Sequence, residues 1–209
     1  AVLNLGRGER FRMRCGSEPE VINNFAVGAD AAVRPERPDN ERTRFVFAGN
    51  IGRFQNLENL LSAFLLLEEA DTELHFLGDG KAKPGLMRRA DDRIGRNVFF
   101  HGRVSADEAF RFTRDCDVGV ISLQPGLYRL AYPSKTGTYV AAGVKILACV
   151  EEESELAQTL RGRGLGVAIG WNEGIAGIAG AMKRVSSLAL YDPMNCRDLW
   201  SVEDASRKW

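Results

Sequence analysis

Several residues and patterns that commonly reveal a protein's chemistry are scarce in this sequence. Only two histidines occur in 209 residues, and the four cysteines are widely separated, with no CxxC pair. Such spacing fits neither a zinc site nor the disulfide framework of a secreted domain, so a reducing, cytoplasmic compartment is expected. The chain carries 28 Lys and Arg against 28 Asp and Glu, and this lack of net charge argues against nucleic acid as a partner.

Long apolar runs and several well-known sequence signatures are also missing. No run approaches the ~20 apolar residues of a membrane-spanning helix, and no signal-like segment opens the chain. The chain begins at Ala1 without a methionine, so further upstream sequence is expected. The Walker pattern GxxxxGK[ST] is absent, as is GxGxxG after the first predicted strand, which disfavours P-loop NTPases and common dinucleotide dehydrogenases. Nothing has metal-ligand spacing, so no metal site is predicted.

What the sequence does contain, from residue 44 onward, is an alternation of short β-branched or aromatic runs with longer segments of helical period. Leu57, Leu60, Leu61, Phe64 and Leu67 form one apolar helical stripe, and the Ser105 to Glu108 segment is a capping box that starts a helix over 105–115. This alternation predicts an α/β fold with a doubly wound, Rossmann-like parallel sheet of about six strands. The predicted strands are 44–49, 73–78, 97–101, 117–122, 144–149 and 165–169.

The pattern also suggests three parts of the chain. Residues 1–40 are a lead-in that contains a short strand-like VINN at 21–24 and ends in a charged, proline-containing stretch typical of a linker. Residues 41–190 hold the β/α alternation. Residues 191–209 form a polar, helical extension.

Ligands of open parallel sheets bind outside the carboxyl ends of the strands, so the loops at that edge are candidate binding segments. After the first strand, Gly49, Asn50 and Gly52 permit close backbone approach and Arg53 offers a planar fork for a phosphate. Gly78 and Gly80 follow the second strand, and Gly102-Arg103 follows the third. Each of these loops is equally consistent with a plain strand-to-helix turn and a solvated cation.

The loop after the fourth strand is the longest, and it leads into the run Pro-Ser-Lys-Thr-Gly-Thr at 133–138. Hydroxyls, Lys135 and free amides at a helix start favour an anion, although the run also suits an ordinary helix N-cap. Four such loops at one edge of one sheet together predict a phosphate-bearing ligand. His75 and His101, both inside predicted strands, are interpreted as core or edge residues, and the acidic groups 91–92 and 151–153 as solvated helix ends.

Five segments occur in a characteristic order: GNIGRFQNLENLLSAF (49–64), LHFLGDGK (74–81), NVFFHGRVSADEAFRFTRDCDVGVISL (97–123), YPSKTGTYVAAGVKILA (132–148) and GLGVAI (164–169). Together they resemble the C-terminal domain of GT-B glycosyltransferases, and the resemblance covers about Val21 to Leu190. Within that class the chain is similar to the retaining enzymes of glycosyltransferase family four, particularly the bacterial polysaccharide-building group whose motif reads PSK before a helix.

The resemblance implies a donor-binding domain that holds a UDP- or GDP-linked sugar as substrate and uses no cofactor and no metal. Arg53 and Lys135 are then the groups that neutralise the leaving diphosphate, and Arg103 lies where the base is held. The positions implied to bind the donor are Gly49, Asn50, Gly52, Gly78, Gly80, Arg103, Ser134, Thr136 and Thr138. The other implied partners are a carbohydrate or lipid-linked acceptor and an N-terminal domain of the same protein. The resemblance implies a cytoplasmic protein, and peripheral attachment to the inner face of the membrane is left open.

Five positions depart from the family pattern, in three separate parts of the chain. Asn50 and Gln55 replace the usual Arg and Lys of the first loop, Leu130 and Thr138 replace paired glutamates, and Lys145 replaces a proline. A non-catalytic binding or partner module with the same fold is therefore an alternative to a glycosyltransferase half. A sugar-nucleotide epimerase with the GT-B fold is a second alternative. Such an enzyme needs acid–base residues, and the scarcity of histidines and paired carboxylates in the candidate loops argues against it.

Overall fold

The computed structural model describes residues 42–68, 70–129 and 132–199. The predicted lead-in over 1–40, its strand at 21–24, Leu130 and the last ten residues lie outside the described residues. None of the helices in the described ranges is long and apolar enough to cross a membrane.

Six parallel strands form one sheet in the order β3-β2-β1-β4-β5-β6. This is the order of a doubly wound Rossmann-like sheet, as predicted, and no predicted strand boundary is more than one residue from the observed one. From β1 the chain adds β2 and β3 on one side of the sheet, and then β4, β5 and β6 on the other side, so the strand order reverses between β1 and β4. The strands are β1 (Thr43–Ala48), β2 (Thr72–Leu77), β3 (Val98–Gly102), β4 (Val118–Ser122), β5 (Lys145–Cys149) and β6 (Gly166–Ile169).

Within the described ranges, six α-helices cover the two faces of this sheet. Residues of α1, α2 and α6 share one apolar cluster with the sheet, whereas α3, α4 and α5 contribute to two smaller clusters on the opposite face. The helices are α1 (Leu57–Phe64), α2 (Lys83–Ala90), α3 (Ala106–Arg114), α4 (Lys135–Ala141), α5 (Glu155–Arg163) and α6 (Gly174–Ser186).

Two helices show how closely the local sequence specifies the elements. In α3, Ser105 Oγ accepts from the Glu108 amide at 3.2 Å and Glu108 Oε2 accepts from the Ser105 amide at 2.8 Å, so the predicted capping box is confirmed. The apolar stripe of α1 is buried as predicted, but the helix ends at Phe64. Leu67 belongs to the following turn, where it is still packed against the core.

The contacts of Lys145 explain why this chain tolerates a lysine at a position where the family it resembles has a proline. The residue opens β5 and is buried, and its Nζ donates to the carbonyls of Ser186 at 2.7 Å and Leu188 at 3.2 Å. These carbonyls lie at the end of α6, where helices leave acceptors unsatisfied and favour positive charge. Lys145 therefore ties the C-terminal end of α6 to the sheet.

Candidate functional site

A cavity of about 760 Å³ opens at the carboxyl edge of the sheet, beside the point where the strand order reverses. Open α/β sheets bind their ligands at this position because loops from both halves of the sheet diverge there. Its lining comes from the loops after β1, β2 and β3, from α3 and from the start of α4: Ala48, Gly49, Asn50, Gln55, Leu77, Gly78, Asp79, Arg103, Val104, Ser105, Ala106, Ala109, Ser134, Lys135, Thr138 and Tyr139.

The loops after β1 and β2 form one wall of the cavity, called here the backbone wall (49–52 and 78–80). The Gly49 amide donates to the Leu77 carbonyl at 2.8 Å, and the Ile51 amide donates to the Asp79 carbonyl at 2.9 Å. Gly78 has φ +141°, and a Cβ there would lie 2.0 Å from the Gly49 carbonyl oxygen. Only glycine permits this approach, so the main chains of the two loops pack directly against each other.

The opposite wall, called the side-chain wall (134–139), is the start of α4. The fully buried Tyr139 is wedged between β1 and β4, and its hydroxyl accepts from the Ala48 amide at 3.1 Å and donates toward the Val46 carbonyl at 3.3 Å. A Cβ on Gly119 of β4 would lie only 2.5 Å from the Tyr139 ring. The Tyr139 hydroxyl thus supplies hydrogen bonds to β1 where β1 and β4 separate. Burial raises the pKa of this hydroxyl.

Lys135 is the cation on the side-chain wall. Its Nζ lies 3.8 Å from the centroid of the Phe47 ring, and a Cβ on Gly49 would lie 3.3 Å from that Nζ. The ammonium therefore sits beside the main chain at the end of β1. Burial lowers the pKa of Lys135 to about 7, because removal from water penalises the charged form.

Two amide side chains crowd around Gly52 in the first loop. A Cβ at Gly52 would come 2.7 Å from Asn50 Nδ2 and 2.9 Å from Gln55 Oε1, so these two side-chain ends would have to shift to admit one. Gln55 Oε1 is buried and has no hydrogen-bond partner in the described part of the chain. A buried oxygen without a donor is costly, so this position of the cavity suits a ligand that supplies a donor.

The third strand and α3 provide the open end of the cavity. Arg103, Val104 and Ser105 are exposed, and Ala106 and Ala109 of α3 leave space behind them. The capping box holds the start of this helix, and the hydrogen bonds from Ser105 lower the pKa of Glu108. A flat group would meet small side chains and the start of a fixed helix there.

The structure brings together many of the residues chosen from the sequence but leaves some outside the cavity lining. Those that line it are Gly49, Asn50, Gly78, Arg103, Ser134, Lys135 and Thr138. Gly52 and Gly80 shape the loops around it, and Thr136 is buried, with its hydroxyl donating to the Pro133 carbonyl at 2.8 Å. Arg53 lies in an exposed 3-10 turn at the rim and is not part of the lining.

The loop after β4 is held to neighbouring loops by side-chain hydrogen bonds. Gln124 Nε2 donates to the Arg53 carbonyl at 2.6 Å, and Trp171 Nε1 donates to the Leu123 carbonyl at 2.6 Å. The Gly126 amide donates to Glu151 Oε1, and the Tyr128 hydroxyl donates to Glu153 Oε1 at 3.1 Å. The interpretation of 151–153 as a solvated helix end is therefore wrong for Glu151, which is half-buried and accepts from the main chain of this loop, whereas Glu153 is exposed as expected.

Sequence reasoning also missed a pairing of the two histidines, although it placed both correctly in strands. His75 Nδ1 lies 3.0 Å from His101 Nε2, and His75 Nε2 lies 3.2 Å from Glu73 Oε2. Since a carboxylate only accepts, His75 carries its proton on Nε2 and accepts at Nδ1 from His101. Burial lowers the pKa of His75 to about 4 and also lowers that of His101, so both are neutral near pH 7.

Known proteins are similar to this chain in sequence. A family model described as "Glycosyl transferases group 1" matches residues 42–185. A probable glycosyltransferase, WbjE of Pseudomonas aeruginosa, is 35% identical over 129 residues, which are 61% of this chain and 31% of that protein. A putative colanic acid biosynthesis glycosyl transferase, WcaI of Escherichia coli K12, is 30% identical over 142 residues, 66% of this chain and 35% of that protein. The chain spans about a third of these relatives.

Solved structures share the fold at lower identity. The lipopolysaccharide outer core galactosyltransferase WaaB in its apo form has a TM-score of 0.76 at 15% identity, covering 99% of this chain and 59% of that one. A C-terminal domain of a glycosyl transferase group 1 family protein, LpcC of Francisella tularensis, has a TM-score of 0.56 at 11% identity, covering 80% of this chain and 84% of that one. A Staphylococcus aureus TarM mutant solved with UDP has a TM-score of 0.67 at 16% identity, covering 100% of this chain and 42% of that one.

Proposed function

The chain belongs to the family Glycosyl transferases group 1, and from that premise we propose that it is the donor-binding part of a larger glycosyltransferase. Its ligand would be a nucleoside diphosphate sugar linked to UDP or GDP. The observation that carries this proposal is the cavity at the carboxyl edge of the sheet, where the Lys135 ammonium lies against the main chain of Gly49.

The two walls of the cavity supply what a diphosphate needs. The backbone wall lets an anion approach the main chain closely at Gly49, because this residue carries no side chain and faces Lys135. The side-chain wall supplies the positive charge of Lys135. A phosphate oxygen between the walls would accept a charge-assisted hydrogen bond from Nζ, which is stronger than one between neutral groups.

Sugar transfer makes the diphosphate a leaving group that gains negative charge as the bond to the sugar breaks. Lys135 is positioned to stabilise that charge, and we propose that it takes the role that a bound metal has in other transferases. Arg53 would assist from the rim, although its side chain starts from an exposed turn. We further propose that the enzyme is metal-independent and that it retains the configuration of the transferred sugar, as its resemblance to family four implies.

The nucleoside would extend toward the open end of the cavity. Arg103 and its neighbours border the space left by Ala106 and Ala109, which suits a flat base. Thr138 lines the cavity on α4, where the family has a glutamate that grips the ribose. A hydroxyl is shorter than a carboxylate and uncharged, so we expect ribose recognition here to be weak.

The proposal for the whole protein reaches beyond the described residues. The relatives named for glycosyl transfer and colanic acid biosynthesis support polysaccharide or glycoconjugate synthesis as the process. The acceptor would be a carbohydrate or a lipid-linked saccharide, and an N-terminal domain of the same protein would form the acceptor side of the cleft. A cytoplasmic site, with peripheral contact at the inner membrane face, would bring such an acceptor within reach.

Calorimetric titration of the 209-residue chain with UDP, GDP and the corresponding monophosphates tests the donor site. We expect one of the diphosphates to bind and its monophosphate to bind at least about tenfold more weakly, because one charge-assisted contact is lost. Equal binding of mono- and diphosphates would contradict the role of Lys135. Absence of binding by all four nucleotides would contradict the proposed function.

The metal-independent transfer is tested on the full-length protein. We expect transfer from the matching sugar nucleotide to persist in excess EDTA, because Lys135 supplies the charge. Loss of transfer on chelation, restored by Mg²⁺ or Mn²⁺, would contradict metal independence while leaving donor binding intact.

A further inference from the structure

The short turn that brings Gln55 to the cavity, called here the Gln55 turn (Arg53–Gln55), is anchored at three consecutive carbonyls. The Arg53 carbonyl accepts from Gln124 Nε2 at 2.6 Å, and the Phe54 carbonyl accepts from the Gln124 amide at 2.8 Å. The Gln55 carbonyl accepts from the hydroxyl of Ser122, a buried residue at the end of β4. Two residues of one segment therefore hold the main chain of the whole turn.

The segment that supplies these donors is itself fixed from the other side. Between Ser122 and Gln124, the Leu123 amide donates to the Cys149 carbonyl at 3.2 Å, and the Leu123 carbonyl accepts from Trp171 Nε1 at 2.6 Å. Cys149 ends β5, and Trp171 follows β6. The segment thus connects the Gln55 turn, which follows β1, to the loops of the other half of the sheet.

The far end of the Gln55 turn is also fixed. Asn56 has φ +46° and ψ +40°, a left-handed conformation that asparagine adopts more readily than most residues. Leu57 then begins α1 as a buried residue. The turn is therefore held between the packed start of α1 and the donors from the end of β4.

The orientation of this turn decides which side chain meets the ligand. Arg53, Phe54 and Gln55 form a 3-10 helix, in which three consecutive side chains point in three different directions. The first two side chains are exposed, whereas Gln55 is half-buried and lines the cavity. A turn rotated about its axis would present a different one of the three, so the bonds from Ser122 and Gln124 determine the choice.

The Gln55 side chain occupies a position that is costly without a ligand. Its Oε1 is buried and has no hydrogen-bond donor in the described ranges of the chain. An unpaired buried oxygen destabilises a protein, and such a group persists only where the surrounding structure determines its position. Groups held in this way are common where a protein prepares a site for a ligand.

We propose that Ser122 and Gln124 are positioning residues of the donor site that act through Gln55. By fixing the orientation of the Gln55 turn, they present the Gln55 amide, rather than the Arg53 guanidinium, to the bound nucleotide. The inference rests on the proposed function and adds to it two residues that do not themselves line the cavity.

A double-mutant cycle with nucleotide affinity as its readout tests whether Ser122 acts through Gln55. Ser122→Ala removes the donor to the Gln55 carbonyl, and Gln55→Met removes the amide at similar length. We expect each variant to weaken binding of UDP or GDP by about fivefold, the size of one neutral hydrogen bond. In the Gln55→Met background, Ser122→Ala should weaken binding by less than about twofold, because the group through which it acts is gone.

The same cycle applies to Gln124. Gln124→Met removes the Nε2 donor to the Arg53 carbonyl and keeps the main-chain bond to Phe54. We expect a loss of about fivefold in the parent background and less than about twofold beside Gln55→Met. Calorimetric titration measures all affinities at a temperature at which urea denaturation shows every variant to be folded.

Two controls separate positioning from a general loss of structure. Ser122→Thr keeps the hydroxyl, so we expect its affinity to stay within about twofold of the parent. Tyr128→Phe loses an exposed bond to Glu153 in the same loop and does not touch the Gln55 turn, so its affinity should not change.

NMR of the Gln55 side-chain amide provides a readout that does not depend on the variants. We expect its resonances to shift in the parent protein when UDP or GDP is added, because the amide contacts the nucleotide. This measurement also replaces the cycles if Ser122→Ala and Gln124→Met do not fold.

The outcomes distinguish the inference from the proposed function. Unchanged affinity in Ser122→Ala or in Gln124→Met, equal losses with and without Gln55→Met, or Gln55 resonances that do not move would overturn the inference and leave the proposed function standing. Binding of neither UDP nor GDP by the parent protein would overturn the proposed function and the inference with it.

Discussion

The two walls of the cavity are built in different ways. The backbone wall is main chain packed on main chain, and its glycines are needed because a Cβ at Gly78 would overlap the Gly49 carbonyl. The side-chain wall depends on the ammonium group of Lys135 and the hydroxyl group of Tyr139. The first wall therefore determines the shape of the site, whereas the second determines its charge and its connection to the sheet.

The largest expected effect comes from breaking the backbone wall. Gly78→Ala places a Cβ 2.0 Å from the Gly49 carbonyl oxygen at a φ of +141°, so we expect a loss of about 3 kcal/mol or more in unfolding free energy. Urea denaturation measures this loss. Gly162→Ala in α5 is the matched control, because no atom lies within 4 Å of its added Cβ, and it should stabilise by up to about 1 kcal/mol. Equal stability of both variants would show that the two loops are not in close contact.

The next effect concerns charge on the side-chain wall. Lys135→Met should weaken UDP or GDP binding near neutral pH by about tenfold or more, because it removes a charge-assisted contact inside the cavity. Arg53→Ala is the comparison, and its effect should be less than about fivefold because an exposed arginine contributes less than about 1 kcal/mol. Calorimetric titration of both variants with UDP or GDP measures which substitution reduces the affinity more. Unchanged binding in both would place the ligand elsewhere.

Removing one atom from the side-chain wall should have a smaller effect. Tyr139→Phe leaves the Ala48 amide without its acceptor at 3.1 Å, so we expect a loss of about 1–2 kcal/mol in unfolding free energy. Tyr128→Phe, which loses only an exposed bond to Glu153, should change stability by less than about 0.5 kcal/mol. A Tyr139→Phe protein as stable as the parent would show that the hydroxyl does not join β1 to α4.

The smallest effect is expected at the ribose. With Thr138 in place of a carboxylate, removal of the ribose 2′-hydroxyl should reduce affinity by under about 1 kcal/mol. Thr138→Glu should increase the preference for the ribose form over the deoxyribose form, because an ionised carboxylate accepts two hydrogen bonds. A strong ribose preference in the parent protein would assign recognition to another residue.

Different residues were predictable from the sequence to very different degrees. The strands and the capping box at Ser105 follow from local patterns, and the structure confirms them. Ser134, Lys135 and Thr138, chosen from the segment 133–138, line the cavity. Arg53 and Lys135, in contrast, were indistinguishable as candidate cations, because a loop sequence does not show whether a side chain points into a cavity or into solvent.

The contacts that the sequence missed all join residues far apart in the chain. Tyr139 bonds to Ala48, Glu151 bonds to Gly126, and His75 bonds to His101, across separations of 91, 25 and 26 residues. No periodicity or spacing encodes such pairs. Each depends on which strands become neighbours and on the register between them.

The sequence by itself determined the alternation of strands and helices, the caps and glycine turns, and therefore the doubly wound sheet. Those properties are local, since each depends on side-chain period or on backbone freedom within a few residues. Only the tertiary structure decided that Lys135 is half-buried beside Phe47 at the cavity while Arg53 is exposed at its rim. Burial and charge pairing depend on what the whole fold places around a group, and this environment sets its protonation and its affinity for a phosphate.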